Sequence, residues 1–233
     1  GQSQSFKVNL QYFLENQSGS QAMSQIALPP DTAYQKVSIQ KLNPKPINIE
    51  ADSDGNWLAL YKLTPKQKIT IEADLSIELT MTPSLYGFVA PNEDHLKPTR
   101  YWQADDQEIK ALAEKLKTPH QIYDYVVSNL TYDYGRAGKS GERKGAKVAL
   151  SNPKSAICTE FTDLFVALAR AAGIPARELE GFAWTENPKL RPLSLSSDIL
   201  HAWPEYWDKD KNVWIQVDPT WGNTTGNIDY FSK

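Results

Sequence analysis

The hydrophobic period changes after about residue 98, from two to about 3.6, which limits the fold to a β-rich front half followed by a helix-containing back half. Phe6, Val8 and Leu10 alternate with polar residues, as do Val37 and Ile39. Ile47 to Ile49, Trp57 to Leu60 and the stretch from Ile69 to Met81 continue the pattern, the last through Ile69, Ile71, Ala73 and Leu75. Such alternation marks half-buried strands. Turn signals separate them at Asn16 to Ser20, Pro29-Pro30-Asp31, Asn43-Pro44, Asp54-Gly55-Asn56 and Thr64-Pro65. About five strands at this spacing predict a small β-sandwich over residues 1–98. No catalytic constellation falls within it. His95, in the loop that follows and without another histidine nearby, reads as a surface residue.

Phe88 to Tyr101, with Pro91 and Pro98, reads as a linker into a second domain over residues 99–233. Asp105 to Lys117 then carries Ile109, Leu112, Ala113 and Leu116 at helical spacing, with Asp105 as candidate N-cap. Thr118-Pro119 opens a second helix through Ile122, Tyr125, Val126 and Leu130. Tyr132 to Leu150 is polar and contains Gly, a long loop of the kind that often carries function. Its lysines, from Lys139 to Lys147, read as solvated loop rather than a binding patch.

Composition removes several classes. At 233 residues the chain is long enough for one large domain or two modest ones, and no apolar run approaches the ~18 residues of a membrane span. A net charge of −3 gives no reason to expect nucleic acid or an anionic membrane as partner. One cysteine permits neither an intrachain disulfide nor a cysteine-based metal centre. No acidic loop has the look of a calcium site, so activity without metal or cofactor is expected. Gly1 without a preceding Met fits removal of a signal peptide or lipoprotein anchor, and fits a trimmed start as well; an extracytoplasmic setting is the favoured expectation.

The single cysteine sits at a telling place. Ser151 to Ser155 is a turn-rich approach, and after it Phe161, Leu164, Phe165, Leu168 and Ala172 form one apolar stripe. Gly173 suits a C′ position and Pro175 blocks continuation. Cys158 therefore falls in the first helical turn, where free N–H groups and the helix dipole stabilise negative charge on sulfur or on an oxyanion. A lone cysteine is more often a buried small hydrophobe, so the helix start alone does not decide between structure and nucleophile.

A histidine and an aspartate add to the case. His201 to Trp207 and Val213 to Asp218 both alternate, and Asp208 to Lys211 between them is polar, a hairpin signature. Pairing Tyr206 with Val213, Pro204 with Ile215 and Ala202 with Val217 puts the apolar partners on one face. In that register His201 and Asp218 stand directly opposed, with Cβ atoms roughly 4.5–5.5 Å apart. A carboxylate there would accept one imidazole N–H and leave the other ring nitrogen for the thiol. Each residue alone has an ordinary reading, as a satisfied sheet histidine and a turn aspartate before Pro219.

Three blocks closely resemble the transglutaminase-like superfamily, whose core is related to papain-like thiol proteases. They are Ile157-Cys-Thr-Glu-Phe-Thr-Asp-Leu-Phe-Val-Ala-Leu-Ala-Arg-Ala-Ala-Gly-Ile-Pro-Ala-Arg177, His201-Ala-Trp-Pro-Glu-Tyr206 and Trp214-Ile-Gln-Val-Asp-Pro-Thr-Trp221. The resemblance covers residues 100–231 and includes the Asp229-Tyr-Phe231 tail; the β-rich half is similar to N-terminal domains on bacterial members. It implies an α+β protein: a small N-terminal β-sandwich, then a papain-like core with the nucleophile helix packed on an antiparallel sheet. It implies Cys158 as nucleophile, His201 as general base and acid, and Asp218 as orienter. A side chain upstream of the cysteine serves the family as second oxyanion donor, which points to Tyr132 ahead of Tyr134. Ala156 stands where the family usually has Gly, a hindrance if the backbone there takes positive φ or must lie close to substrate. Trp203, Trp207, Trp214 and Trp221 read as packing or cleft walls, and Arg177 as structural. The expected chemistry is acyl transfer at amide bonds through a thioester, as peptidase, amidase or protein-glutamine transglutaminase, on a protein or peptide substrate. The alternatives are a binding or scaffold protein that kept the fold without turnover, and a protein whose β-rich half binds a partner or a cell-surface polymer.

Overall fold

A computed structural model of the chain describes residues 3–84, 88–137, 142–183, 199–226 and 228–231. The chain divides into two compact units, Gly1–Ala90 and Pro91–Lys233.

The first unit holds six strands: β1 (Ser3–Glu15), β2 (Ala22–Leu28), β3 (Gln35–Asn43), β4 (Asn48–Ala51), β5 (Trp57–Leu63) and β6 (Lys68–Thr80). They form two antiparallel three-stranded sheets, in the orders β1-β6-β3 and β2-β5-β4. Ile71, Ala73 and Leu75 of β6 pack with Ile26 and Leu28 of β2, Val37 of β3 and Ala59 and Tyr61 of β5, so the two sheets share one apolar core. The period-two signal of β6 thus marks a central strand. β2 is not announced by alternation, because its inward positions begin with the small residues Ala22 and Ser24 before reaching Ile26 and Leu28. Ile47 and Ile49 misled in the other direction: they flank or occupy the short edge strand β4 and stay exposed.

The second unit contains a 3-10 turn (Glu93–Leu96), α1 (Gln107–Leu116), α2 (Pro119–Asn129), α3 (Ala146–Ser151), α4 (Cys158–Ala171), β7 (Ala176–Ala183), β8 (Ile199–Asp208), β9 (Val213–Gln216) and α5 (Pro219–Thr224). α1 is capped by Asp106 rather than Asp105, its carboxylate accepting the N–H groups of Glu108 and Ile109. α2 opens with Thr118 as N-cap and Pro119 at its first position, as the sequence indicates. The stretch expected to be all loop, 132–150, contains α3; Lys139 lies outside the described residues, Lys144 bonds Ser155 and Lys147 pairs with Asp106. α4 is the hub. Every residue from Glu160 to Arg170 is buried, and the helix packs against α1, α2, α3, β7 and β8. The three strands form an antiparallel sheet in the order β7-β8-β9.

Two expectations need correcting. His95 is not a surface residue: it is 3% exposed, its Nδ1 accepts the Asn92 N–H at 3.0 Å, and its ring meets the edge of Trp214 at 5.1 Å. Capping its own short turn gives the ring a reason to fold inward. The β8–β9 register is also shifted by two residues, with Tyr206 opposite Ile215 and Asp208 opposite Val213. Asp208 Oδ1 accepts the N–H groups of Asp210 and Lys211, and Asn212 takes a positive φ of 54°, so pairing continues to a tight four-residue turn. A two-residue slip leaves every side chain on its own face, so burial could not detect it. Among the described residues no helix is long and apolar enough to cross a membrane.

Candidate active site

The site begins with the way α4 starts. Ile157 occupies the N-cap and has no side-chain acceptor to offer. The missing cap is supplied from inside the helix: Glu160 reaches back and accepts the Ile157 N–H at 2.9 Å. The Glu160 side chain is fully buried, and Arg136 answers its charge through two hydrogen bonds of 3.0 and 3.3 Å, while the Lys144 N–H donates at 3.0 Å. Arg136 also donates to the Ser155 carbonyl. The chain entering the helix is thereby held on both sides of Ala156, and Cys158 becomes the first residue of α4. Cys158 is partly exposed and so reachable from solvent.

Ala156 itself carries no strain. It is absent from the non-glycine residues with positive φ among those described, and its methyl is fully buried. Its carbonyl accepts the Asp133 N–H at 2.7 Å and its N–H donates to Thr131 O at 3.4 Å. These bonds lay residues 131–133 alongside 153–156 as a short parallel bridge centred on Tyr132 and Ala156. Tyr132 is thus brought beside the start of α4, 6% exposed, its ring against Phe161 and Tyr134. Burial raises its phenol pKa, and the neighbouring Cys158 adds to the rise, so the hydroxyl keeps its proton. Tyr134 is far more exposed, at 58%.

His201 comes from β8, and its Nε2 lies 2.8 Å from Asp218 Oδ2. The pair forms by a different route from the one the sequence suggests. β9 ends at Gln216, and Asp218 leaves the sheet to become the N-cap of α5, with φ −130° and ψ 86°. Its Oδ1 accepts the Trp221 N–H at 2.9 Å, which turns Oδ2 toward the imidazole. With Nε2 engaged, Nδ1 is the ring nitrogen left, and Cys158 lies near enough to His201 to raise its pKa. Burial alone would lower the His201 pKa; the Asp218 carboxylate and then Cys158 outweigh it and push it up to about 10. The ring is walled by Trp203, stacked at 5.7 Å, and by Trp221 at 6.3 Å. Trp203 is itself held by Gln216 Oε1 at 3.2 Å and lies across Gly181, where a Cβ would come within 2.9 Å of the indole. Trp207 and Trp214 meet each other at 5.5 Å away from the imidazole, and Arg177 pairs with buried Glu205 at 2.6 Å while covering Trp214, a structural role.

A second arginine was not singled out by the sequence. Arg143 clamps the buried Asp163 of α4 and Glu178 of β7 at once, and Trp102 Nε1 donates to Asp163 at 2.9 Å. Burial holds the Asp163 carboxyl up at about 6 and that of Glu178 at about 7, against the pull of Arg143. A signal for Glu160 and Asp163 was present: Val166, Ala167 and Ala169 make α4 apolar on its other side as well, and a helix apolar all round buries whatever acids it carries.

Residues 104–219 match the sequence profile of the Transglutaminase-like superfamily. Over 146 residues the chain is 30% identical to a protein-glutamine gamma-glutamyltransferase of Pseudomonas aeruginosa, covering 57% of this chain and 22% of that one. Over 137 residues it is 31% identical to an uncharacterized protein of Haemophilus influenzae, covering 58% of this chain and 34% of that one. The chain thus spans between about a fifth and a third of the length of these relatives. Among solved structures, a candidate cysteine protease of Cytophaga hutchinsonii superposes with a TM-score of 0.59 at 21% identity, over 93% of this chain and 79% of that one. The α+β fold with antiparallel sheets is that neighbour's fold, and by its core at residues 104–219 this protein is a member of the transglutaminase-like superfamily.

Proposed function

We propose that this protein is a thiol acyltransferase acting on amide bonds, with Cys158 as nucleophile, His201 as acid and base, and Asp218 as orienter. The observation that carries the reading is the 2.8 Å contact of Asp218 Oδ2 with His201 Nε2, on an imidazole whose pKa is raised by the neighbouring Cys158 at the first position of α4. With Asp218 on one side, the imidazole is favoured as imidazolium, the proper partner for a thiolate. The sulfur attacks the amide carbonyl carbon, forming a C–S bond. The oxyanion is met by the Cys158 N–H, for which no acceptor is found among the described residues, and by the Tyr132 hydroxyl. Collapse breaks the C–N bond as His201 gives its proton to the leaving amine. The thioester is then attacked by an amine or by water; His201 takes that nucleophile's proton, the C–S bond breaks, and the imidazolium and thiolate are restored.

An amine acceptor makes the protein a transglutaminase, and water makes it a peptidase or amidase; the three groups do the same work in both. The Pseudomonas relative carries the first name, so a glutamine-containing peptide is the substrate to try first. The test is chemical. Limiting iodoacetamide is reacted with the native protein and with His201→Ala across pH, and labelling is mapped to Cys158. Rapid labelling well below pH 8 that slows in the variant supports the reading. Slow labelling in both, or labelling only on unfolding, removes it and leaves a scaffold with a transglutaminase-like fold.

A further inference from the structure

The candidate triad ends on an aspartate that stands outside the sheet. At φ −130° and ψ 86°, Asp218 lies outside the β8–β9 ladder; its carbonyl accepts the Gly222 N–H at 2.9 Å as the first bond of α5, but its own N–H needs a partner from elsewhere. Its N–H donates to the Tyr230 carbonyl at 3.2 Å. The Tyr230 N–H in turn donates to the Tyr123 hydroxyl at 2.8 Å. Tyr123 lies on α2, 4% exposed, and its hydroxyl reaches the strand-to-helix corner.

The segment over 228–231 is laid across this corner as a strap, and rings hold it down. Phe231 packs against Tyr206 at 5.8 Å, Tyr123 at 5.6 Å and the edge of His120 at 4.7 Å, while Tyr230 meets Trp221 at 5.7 Å. α5 is tied to the same helix: Asn223 Nδ2 donates to Val127 O at 2.9 Å and to Leu130 O at 3.0 Å. Gly222 is what lets the hydroxyl in, since a Cβ there would come within 2.4 Å of Tyr123 Oη. Three independent features therefore converge on one phenol: the strap's N–H, the glycine of α5 and the burial of the ring.

We propose that Tyr123 is a positioning residue for the triad, fixing the Asp218 backbone through Tyr230 and so setting the 2.8 Å contact between Asp218 and His201. It touches no reacting atom. This rests on the acyl-transfer reading of Cys158, His201 and Asp218. A carboxylate drawn back by a fraction of an ångström still caps α5 but supports the imidazolium less, so the effect falls on the charge state of His201 more than on the fold.

The three histidines of the chain give three separate readouts by NMR. His95, against Trp214, reports the integrity of the core; His120, against Phe231, reports the strap; His201 reports the site. These are followed through pH titration in the full chain, in Tyr123→Phe and in Phe231→Ala, the second removing a ring of the strap while keeping the Tyr123 hydroxyl. Iodoacetamide labelling of Cys158 is measured alongside. In both variants His120 should shift, His95 should stay, and the His201 midpoint should fall by about half to one unit, the loss expected for one neutral hydrogen bond. Labelling at pH 7 should slow by about three- to tenfold to match. A shifted His120 with wild-type His201 titration and labelling overturns the proposal, because the strap would then move without the site responding. An unshifted His120 in Tyr123→Phe overturns it too, because the phenol would not be what holds the strap. If the wild-type protein itself shows an ordinary His201 midpoint and slow labelling, the acyl-transfer reading falls first and this inference with it. The wild-type curves alone separate that case from the other two.

Discussion

Replacing Arg136 by Met should destabilise the second unit heavily, and Glu160→Gln should then restore much of the loss. The Glu160 side chain is fully buried, with four donors on its carboxylate: two from Arg136 at 3.0 and 3.3 Å, and the Ile157 and Lys144 N–H groups at 2.9 and 3.0 Å. Met keeps most of the stem's volume but removes both guanidinium bonds and the only formal positive charge in the set. Deleting one partner of a buried ion pair costs ~3–5 kcal/mol, since the other charge is stranded. Arg136 is itself 19% exposed, so water can follow the missing group and ease the cost toward ~3 kcal/mol. A typical domain has ~5–15 kcal/mol in all, so the unit should stay folded but lose about 1.5 M in urea midpoint at a slope of ~2 kcal/mol/M. Intrinsic fluorescence follows this cleanly, because six of the seven tryptophans fall after residue 91 and Trp57 alone lies before it. Adding Glu160→Gln removes the stranded charge yet keeps an amide oxygen for the Ile157 N–H, so the double variant should be more stable than Arg136→Met. A single-variant loss under ~1 kcal/mol, or a double variant no better than the single, would refute the view that a buried carboxylate organises this helix start.

Four further outcomes follow from the same geometry. The fold favours protonated His201, so its contribution to stability is complete below about 6.5 and is lost as pH rises through about 10; thermal melts should show the wild-type second unit weakening over that window and His201→Gln weakening less. Gly222→Ala, which in an open helix would stabilise, should instead cost ~1–3 kcal/mol in urea unfolding, because the new Cβ meets Tyr123 Oη at 2.4 Å and Val127 Cγ2 at 3.0 Å. Ala156→Gly should leave peptide turnover unimproved and lower stability by ~0.5–1 kcal/mol, since the alanine is unstrained and its methyl is packed. Asp218→Asn should cut turnover by about 100-fold or more and drop the His201 titration midpoint, as burial then acts on the ring without the Asp218 carboxylate to oppose it.

Much of this arrangement could be read from the sequence, and the reasons differ from element to element. The start of α4 at Cys158 was legible because an apolar stripe, Gly173 and Pro175 bracket one helix of definite length. His201 and Asp218 were legible as a pair because both lie on the same face of alternating segments. Their meeting by direct cross-strand opposition was not correct. Burial fixes a hairpin register only modulo two residues, and the choice between the remaining registers belongs to the turn, here to the Asp208 carboxylate and to Asn212 with its positive φ. The slip moves Asp218 off the ladder, and the contact survives because a side-chain cap on Trp221 N and a carbonyl from Tyr230 hold the aspartate where the strand no longer does.

The charged interior was the part the sequence hid. Glu160, Asp163, Glu178 and Glu205 each look like surface acids when taken singly, and their cations Arg136, Arg143 and Arg177 are remote from them or lie in a loop without periodicity. No local propensity links Arg136 to a carboxylate 24 positions away. What could link them is a burial argument run over the whole helix: α4 has no polar face, so an acid at its first turn must be buried, and a buried acid must be answered. The cation then has to come from whichever segment passes the helix start, which is the polar stretch that carries Tyr132. On that reasoning one loop supplies both the ion pair that fixes the peptide before Cys158 and the hydroxyl proposed for the oxyanion. Residues 131–136 therefore form a single device: a substitution that loosens Arg136 should weaken acylation of Cys158, which needs the oxyanion donors, more than its alkylation by iodoacetamide, which does not. Equal losses in the two reactions would show that the loop acts only on the thiol.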